Sequence, residues 1–180
     1  MTSQIDIPTL ASLEYIPYLD ESGQIAEALQ KKIGVYAVFD RDKKMQVVAY
    51  SRDIYLGLKQ HLIRKPEFCY WLKYQTIERP SRTILEDIRG AWIEENGEIP
   101  PGNGSEQTAW NDPIDAKIAM TEEEKETYGK SEDKNQIKLL KTVARRVEAE
   151  LKDKLKQTRN TDMEMRFNAK LKEKGLLDLK

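Results

Sequence analysis

"GVYAVFDRDKKMQVVAYSRDIYLGLKQHL", residues 34–62, is the stretch whose reading decides the fold. "GVYAVF" is rich in β-branched and aromatic residues and reads as a strand. "DRDKK" follows as a charged turn, and "MQVVAY" as the returning strand of a hairpin. Apolar side chains fall on both faces, with Val35, Ala37 and Phe39 on one and Tyr36 and Val38 on the other, so both sides of the sheet need cover. Ser51 or Asp53 can cap a helix whose stripe is Ile54, Leu58 and Leu62, spaced by four, and Lys65-Pro66 ends it.

Outward from this hairpin, "CYWLKYQTI" (69–77) predicts a third strand. Ser81 opens a helix carrying Ile84, Leu85, Ile88, Ala91 and Trp92, closed near Asn96-Gly97. Upstream, residues 9–31 read as a helical region, with "QIAEALQKK" as a short amphipathic helix. Downstream, 97–120 reads as a long loop around a buried Trp110. Thr121 with Glu122–Glu124 marks a helix start, where acidic residues meet the positive end of the helix dipole. The longest helix is expected over about 132–158 on the seam Ile137, Leu140, Ala144, Val147, Leu151 and Leu155. A short helix is expected over 162–174, then an apolar "LLDLK" tail that either docks a partner or packs on its own core.

The fold class that follows is α/β (α+β): a small three-stranded, mainly antiparallel sheet flanked by helices, with a C-terminal helical extension. Its segments are 1–32 (N-terminal helical), 33–103 (core), 104–120 (long loop) and 121–180 (helical extension).

Composition narrows the function classes. The chain has 180 residues, 34% of them charged, with a mean hydropathy of -0.71, which is polar for a compact globule and points to a long exposed helix. Net charge is -1, so nothing pulls the whole chain toward nucleic acid or anionic lipid. Residues 121–180 hold 16 Lys and Arg against 13 Asp and Glu, so the small basic excess lies there. A single cysteine, Cys69, excludes an internal disulfide and a multi-cysteine zinc site. A single histidine, His61, excludes a His-rich metal site, although carboxylates can still hold magnesium. "MTSQIDIPTL" has no basic start followed by an apolar run, and no stretch reaches the roughly 20 apolar residues of a membrane span, so a cytoplasmic protein is expected.

The order hairpin, helix, strand, helix, opened by Gly34-Val35-Tyr36, resembles the catalytic core of the GIY-YIG nuclease superfamily over residues 33–103. Val47-Val48-Ala49 stands where the second motif would be, and "SRDIYLGLKQHL" follows the family spacing without gaps. In its divergence the chain looks like a branch found in cyanobacteria and plastids. The resemblance implies Tyr36 as a vestigial general base, with a core aromatic as the bland alternative. It implies Val47 in place of a second tyrosine, Ala49 in place of a glycine and Gly57 in place of a charge-offsetting arginine. The metal-binding glutamate is either Glu86 or lost to Arg89, and Glu86 is otherwise a surface carboxylate. His61 falls where the family contacts phosphate, or else is a packing histidine. Arg52, Lys59, Lys138 and Arg145 are candidate contacts for nucleic acid or a partner. The charges on the long helix are interleaved with Glu148, Glu150 and Asp153 as on a solvated face.

The resemblance thus implies a catalytically degenerate, nuclease-like protein acting as a non-enzymatic interaction or assembly module with a protein partner and no cofactor. The alternative is a nucleic-acid-binding protein or a structure-specific endonuclease using Mg2+ or Mn2+. Oligomeric state stays open.

Overall fold

In the computed structural model, residues 6–180 are described, so the start of "MTSQIDIPTL" lies outside the described residues. The chain divides into two compact units, Met1–Asn111 and Asp112–Lys180.

The first unit is built on a four-stranded sheet. Its strands are β1 (Ile16–Pro17), β2 (Ile33–Phe39), β3 (Met45–Ser51) and β4 (Trp71–Ile77), in the order β1-β4-β2-β3 with every pair antiparallel. The hairpin pairs Val35 with Tyr50 and Tyr36 with Ala49. One face of the sheet, with Val35, Ala37, Phe39 and Val48, packs on Leu85, Ile88 and Trp92 of helix α2 (Arg82–Asn96) and on Leu10. The other face meets helix α1 (Ile54–Arg64), whose buried stripe is Ile54, Gly57, Leu58, His61 and Leu62. Asp53 caps α1 by accepting from the Leu56 N–H, and Ser81 caps α2 by accepting from Ile84. Gly97 ends α2 in the left-handed region, φ 84°, where a residue without Cβ is least strained.

Two expectations are corrected. The sheet has four strands rather than three, because Ile16 and Pro17 pair with Leu72 and Trp71 on the outer edge of β4. A two-residue strand containing proline leaves no alternation to read. The helical region over 9–31 is absent as well. It forms two 3-10 turns, Leu10–Ser12 and Glu27–Leu29, and the second is cut short by Lys31 at φ 58°. Ile25 and Leu29 are still buried, so the apolar spacing served packing without a helix. The upstream segment is fastened to α2. The Trp92 indole donates to the Pro8 carbonyl, and the Glu95 carboxylate accepts from the Leu10 and Ala11 N–H groups.

The stretch read as a long loop carries short structure. A 3-10 turn over Pro101–Asn103 lies against β3, and helix α3 (Gln107–Asn111) follows it. The Asn103 side chain acts as a surrogate strand there. Its Oδ1 accepts from the Val48 N–H, and its Nδ2 donates to the Val48 carbonyl, both at 2.8 Å. β3 is the sheet's edge on that side, so these bonds cover backbone groups that would otherwise face solvent.

The second unit contains helix α4 (Glu122–Lys130), the 27-residue helix α5 (Asp133–Arg159), a one-turn helix α6 (Ala169–Lys172) and a two-stranded ladder of β5 (Ile114–Asp115) with β6 (Leu176–Leu177). Thr121 and Glu124 form a complete capping box on α4. The seam of α5 buries Leu140, Val143, Ala144, Val147 and Leu155, whereas Ile137 at its start stays exposed. The expected helix over 162–174 shrinks to α6. The tail packs within its own unit: Leu177 is fully buried, and Leu179 bridges to Phe167. Among the described residues, no helix is long and apolar enough to cross a membrane.

Replacing Asn103 with Ala should strip both bonds from Val48. The expected loss is about 1–3 kcal/mol in the urea-unfolding free energy, with faster aggregation on warming as the β3 edge is bared. Replacement with Asp, which sets a carboxylate oxygen against the Val48 carbonyl, should lose at least as much as Ala.

Candidate functional site

β2 turns the Tyr36 side chain toward α1, where Gly57 and His61, four residues apart, share the inward face. The Tyr36 hydroxyl lies 2.8 Å from His61 Nε2, and His61 Nδ1 lies 2.9 Å from the Trp110 carbonyl of α3. Arg64 Nη1 donates to the same carbonyl at 3.0 Å. A carbonyl only accepts, so His61 must carry its proton on Nδ1. Nε2 is then an acceptor and the Tyr36 hydroxyl its donor. This one constraint assigns both the Tyr36 hydroxyl proton and the His61 ring proton. Rings reinforce it, with Tyr36 edge-on to His61 at 5.5 Å and Trp110 tilted against His61 at 5.6 Å.

Gly57 has a specific reason to lack a side chain. A Cβ there would stand 2.7 Å from the Tyr36 hydroxyl, so any larger residue displaces the tyrosine. The position that the sequence marked as missing an arginine is one where no side chain fits.

The cluster is sealed. Tyr36 is 2% exposed, His61 3% and Trp110 0%. Burial pushes the Tyr36 phenol above its ordinary range, with the positive charge of Arg64 opposing. Burial, and then the Arg64 charge, lowers His61 to about 4, against the Trp110 hydrogen bond that favours its charged form. Buried on all sides, the hydrogen-bonded group joins β2, α1 and α3 as a polar pin through the core. The Trp110 indole N–H is buried without a hydrogen-bond partner among the described residues. Its role in the pin is therefore carried by the ring and the backbone carbonyl.

The remaining candidates do not converge on this cluster. Glu86 lies on the α2 side of the sheet, paired with Arg82 at 2.8 Å and accepting from the Tyr50 hydroxyl at 3.3 Å. The Arg82 hydrogen bond and charge hold it below the ordinary carboxylate range. Arg89 lies over the Tyr50 ring at 4.9 Å. Arg52 is exposed at the turn into α1, and Lys59 lies over the Tyr55 ring at 5.3 Å. Lys138 and Arg145 are exposed on α5, in the other unit. Cys69 is fully buried two residues ahead of β4. Among the described residues, no group of three or more His, Cys, Asp or Glu side chains is arranged to hold a metal ion, so an Mg2+ or Mn2+ site has no support. Arg64 and the Trp110 carbonyl are the members that sequence reading missed. Trp110 was legible as a buried aromatic, but a backbone carbonyl leaves no trace in a sequence.

No family model matches the chain. Over 103 residues, 55% of its length, it is 33% identical to a protein named bifunctional monothiol glutaredoxin-S16, chloroplastic, of Arabidopsis thaliana. The chain spans about a third of the length of that curated relative. This finding corrects the reading taken from residues 33–103. The relative bears a thiol-redox name and not that of a nuclease, so the GIY-YIG assignment is set aside, together with the nuclease-like and nucleic-acid functions drawn from it.

Two outcomes test the cluster. Gly57→Ala gains roughly 1 kcal/mol of helix propensity but forces a methyl against a buried hydroxyl, which costs about 1–3 kcal/mol. A net loss of unfolding free energy is expected, with a shifted Tyr36 ring signal in NMR. The second concerns pH. His61 titrates near 4 when folded and near 6.5 when unfolded, so between these values the unfolded chain binds the extra proton. The contribution of His61 should be complete above pH 6.5. It should fall with a slope approaching about 1.4 kcal/mol per pH unit as pH drops toward 4. Comparing urea-unfolding free energies at pH 7 and 5 checks this, and His61→Gln should flatten that part of the slope.

Proposed function

We propose that this chain serves thiol redox chemistry of the glutaredoxin kind as its protein-contacting part, the reacting thiol being supplied by a protein partner or by a further domain. The observation that carries the reading is that Cys69, the sole thiol of the sequence, is 0% exposed. A buried structural thiol is inert, because the reactive species is a solvent-reachable thiolate. The 33% identity to a bifunctional monothiol glutaredoxin supports the chemical setting, and the word bifunctional in that name leaves room for a part that does not carry the thiol.

A resident iron–sulfur cluster does not fit the residues present. Such clusters need several thiolates, and the sequence holds one, sealed cysteine. Glutathione as a reacting partner meets the same obstacle at Cys69. As a compartment, the plastid has the support of the relative's printed name, while the cytoplasm has none.

The test is a glutathione-coupled reduction of a small mixed disulfide by the chain alone, by a monothiol glutaredoxin, and by the two together, with binding between them followed by calorimetry. The chain alone should show no turnover, Cys69→Ser should change nothing, and the pair should associate. Turnover by the chain alone that Cys69→Ser abolishes would place the thiol here and sink the proposal. Absence of any association would sink it as well.

A further inference from the structure

On the α2 side of the first unit, away from the Tyr36 cluster, a groove of about 380 Å³ opens between the end of β3 and the start of α2. It is lined by Tyr50, Ser51, Arg52, Pro80, Arg82 and Leu85, among others. Two guanidinium groups from separate elements border it. Arg52, at the turn from β3 into α1, is exposed and makes no ion pair or side-chain hydrogen bond among the described residues. Arg82, the first residue of α2, is matched on one side by Glu86 and is otherwise 84% exposed. A third arginine, Arg89, sits on the Tyr50 ring, whose hydroxyl donates to Glu86, so Arg82 and Arg89 both act on that one carboxylate.

The hydroxyl of Ser81 accepts from Ile84, which leaves its own proton to donate. The first turn of α2 carries no acidic residue, so the field of that helix adds to the positive potential and does not cancel it. Both guanidinium groups line this one groove, and an anion set between the two forks would take charge-assisted, bidentate bonds. The walls are mixed, since Pro80, Leu85 and the Tyr50 ring edge supply apolar surface beside the cations.

We infer that this groove binds a small organic anion, with a phosphate or carboxylate group held between Arg52 and Arg82 and an apolar part resting on Pro80 and Leu85. The inference is independent of the thiol-redox reading, since it uses neither Cys69 nor a redox partner.

Phenyl phosphate, benzoate and phenol serve as probes that separate phosphate, carboxylate and the apolar part alone, with binding followed by NMR shift titration at low salt. The groove should take phenyl phosphate or benzoate, with shifts at Tyr50, Ser81 and Leu85 and an affinity that falls as salt is added. Phenol should not bind. Arg52→Ala and Arg82→Ala should each weaken binding by about tenfold or more. Because Arg82→Ala also unmasks Glu86, the double variant Arg82→Ala with Glu86→Gln separates the lost cation from the added repulsion, and it should remain weakened. Lys138→Ala should bind as the unaltered chain does. The inference fails if neither anion shifts the groove resonances at millimolar concentration. It fails equally if the Arg52 and Lys138 variants bind alike, which would mean general attraction to the surface.

Discussion

Strand β2 is dark on both faces, and the first unit is organised by what that demands. One face is wholly apolar and asks only for volume, which Leu85, Ile88 and Trp92 fill. The other carries a hydroxyl into the interior, and a buried hydroxyl without a partner costs on the order of 1–3 kcal/mol. Tyr36 therefore needs an acceptor, His61 supplies it, and His61 in turn needs an acceptor for its own proton. The Trp110 carbonyl meets that need, which is why a five-residue helix from a distant part of the chain sits over α1. Each element of that layer is placed by the unmet valence of the one before it.

The second unit rests on different physics. Its buried polar side chain among the described residues is Thr161, which accepts from the Met163 N–H. Its helix α5 presents an apolar seam, and the returning strand β6 packs against that helix with Leu177 fully buried. Its better ion pairs are partly sheltered. Lys172 meets Glu148 at 2.8 Å with both side chains 16% exposed, and Arg146 meets Glu124 beside the capping box at 2.8 Å. Pairs such as Lys130 with Glu126, open to water on both sides, contribute little. Shape and sequence-local capping hold this unit, where hydrogen-bond satisfaction holds the other.

That contrast explains what could be read in advance. The hairpin, α1, β4 and α2 were legible because period-two and helical spacing are properties of neighbouring residues, and Asp53, Ser81 and Thr121 announce helix starts by their own chemistry. Strand β1 was not, since two residues set no period and their pairing with β4 is decided across more than fifty positions of chain. The residues 25–29 show the reverse failure: Ile25 and Leu29 have helical spacing, yet long-range burial uses them in a single 3-10 turn. At the candidate site, Tyr36 and His61 were singled out and do meet, but as a sealed pin. The spacing of residues could locate them, and only the third member, a backbone carbonyl on α3, shows that the pair faces inward with no opening. The likeness of residues 33–103 to a nuclease core followed motif spacing, and the relative with a thiol-redox name overrides it.

The arrangement also sets where this chain tolerates a cut. A fragment trimmed to the hairpin, β4 and the two long helices looks like a complete sandwich. It would nonetheless end before Trp110, leaving His61 with a buried N–H and an indole-sized void over α1. On the opposite flank, trimming past Pro8 would orphan the Trp92 indole in the same way. Two tryptophans thus act as closures, Trp92 by reaching back to Pro8 at the start of the unit and Trp110 by covering α1 at its end. The hydrogen bonds that close the unit therefore reach from Pro8, ahead of its first turn, to Trp110 in its last helix.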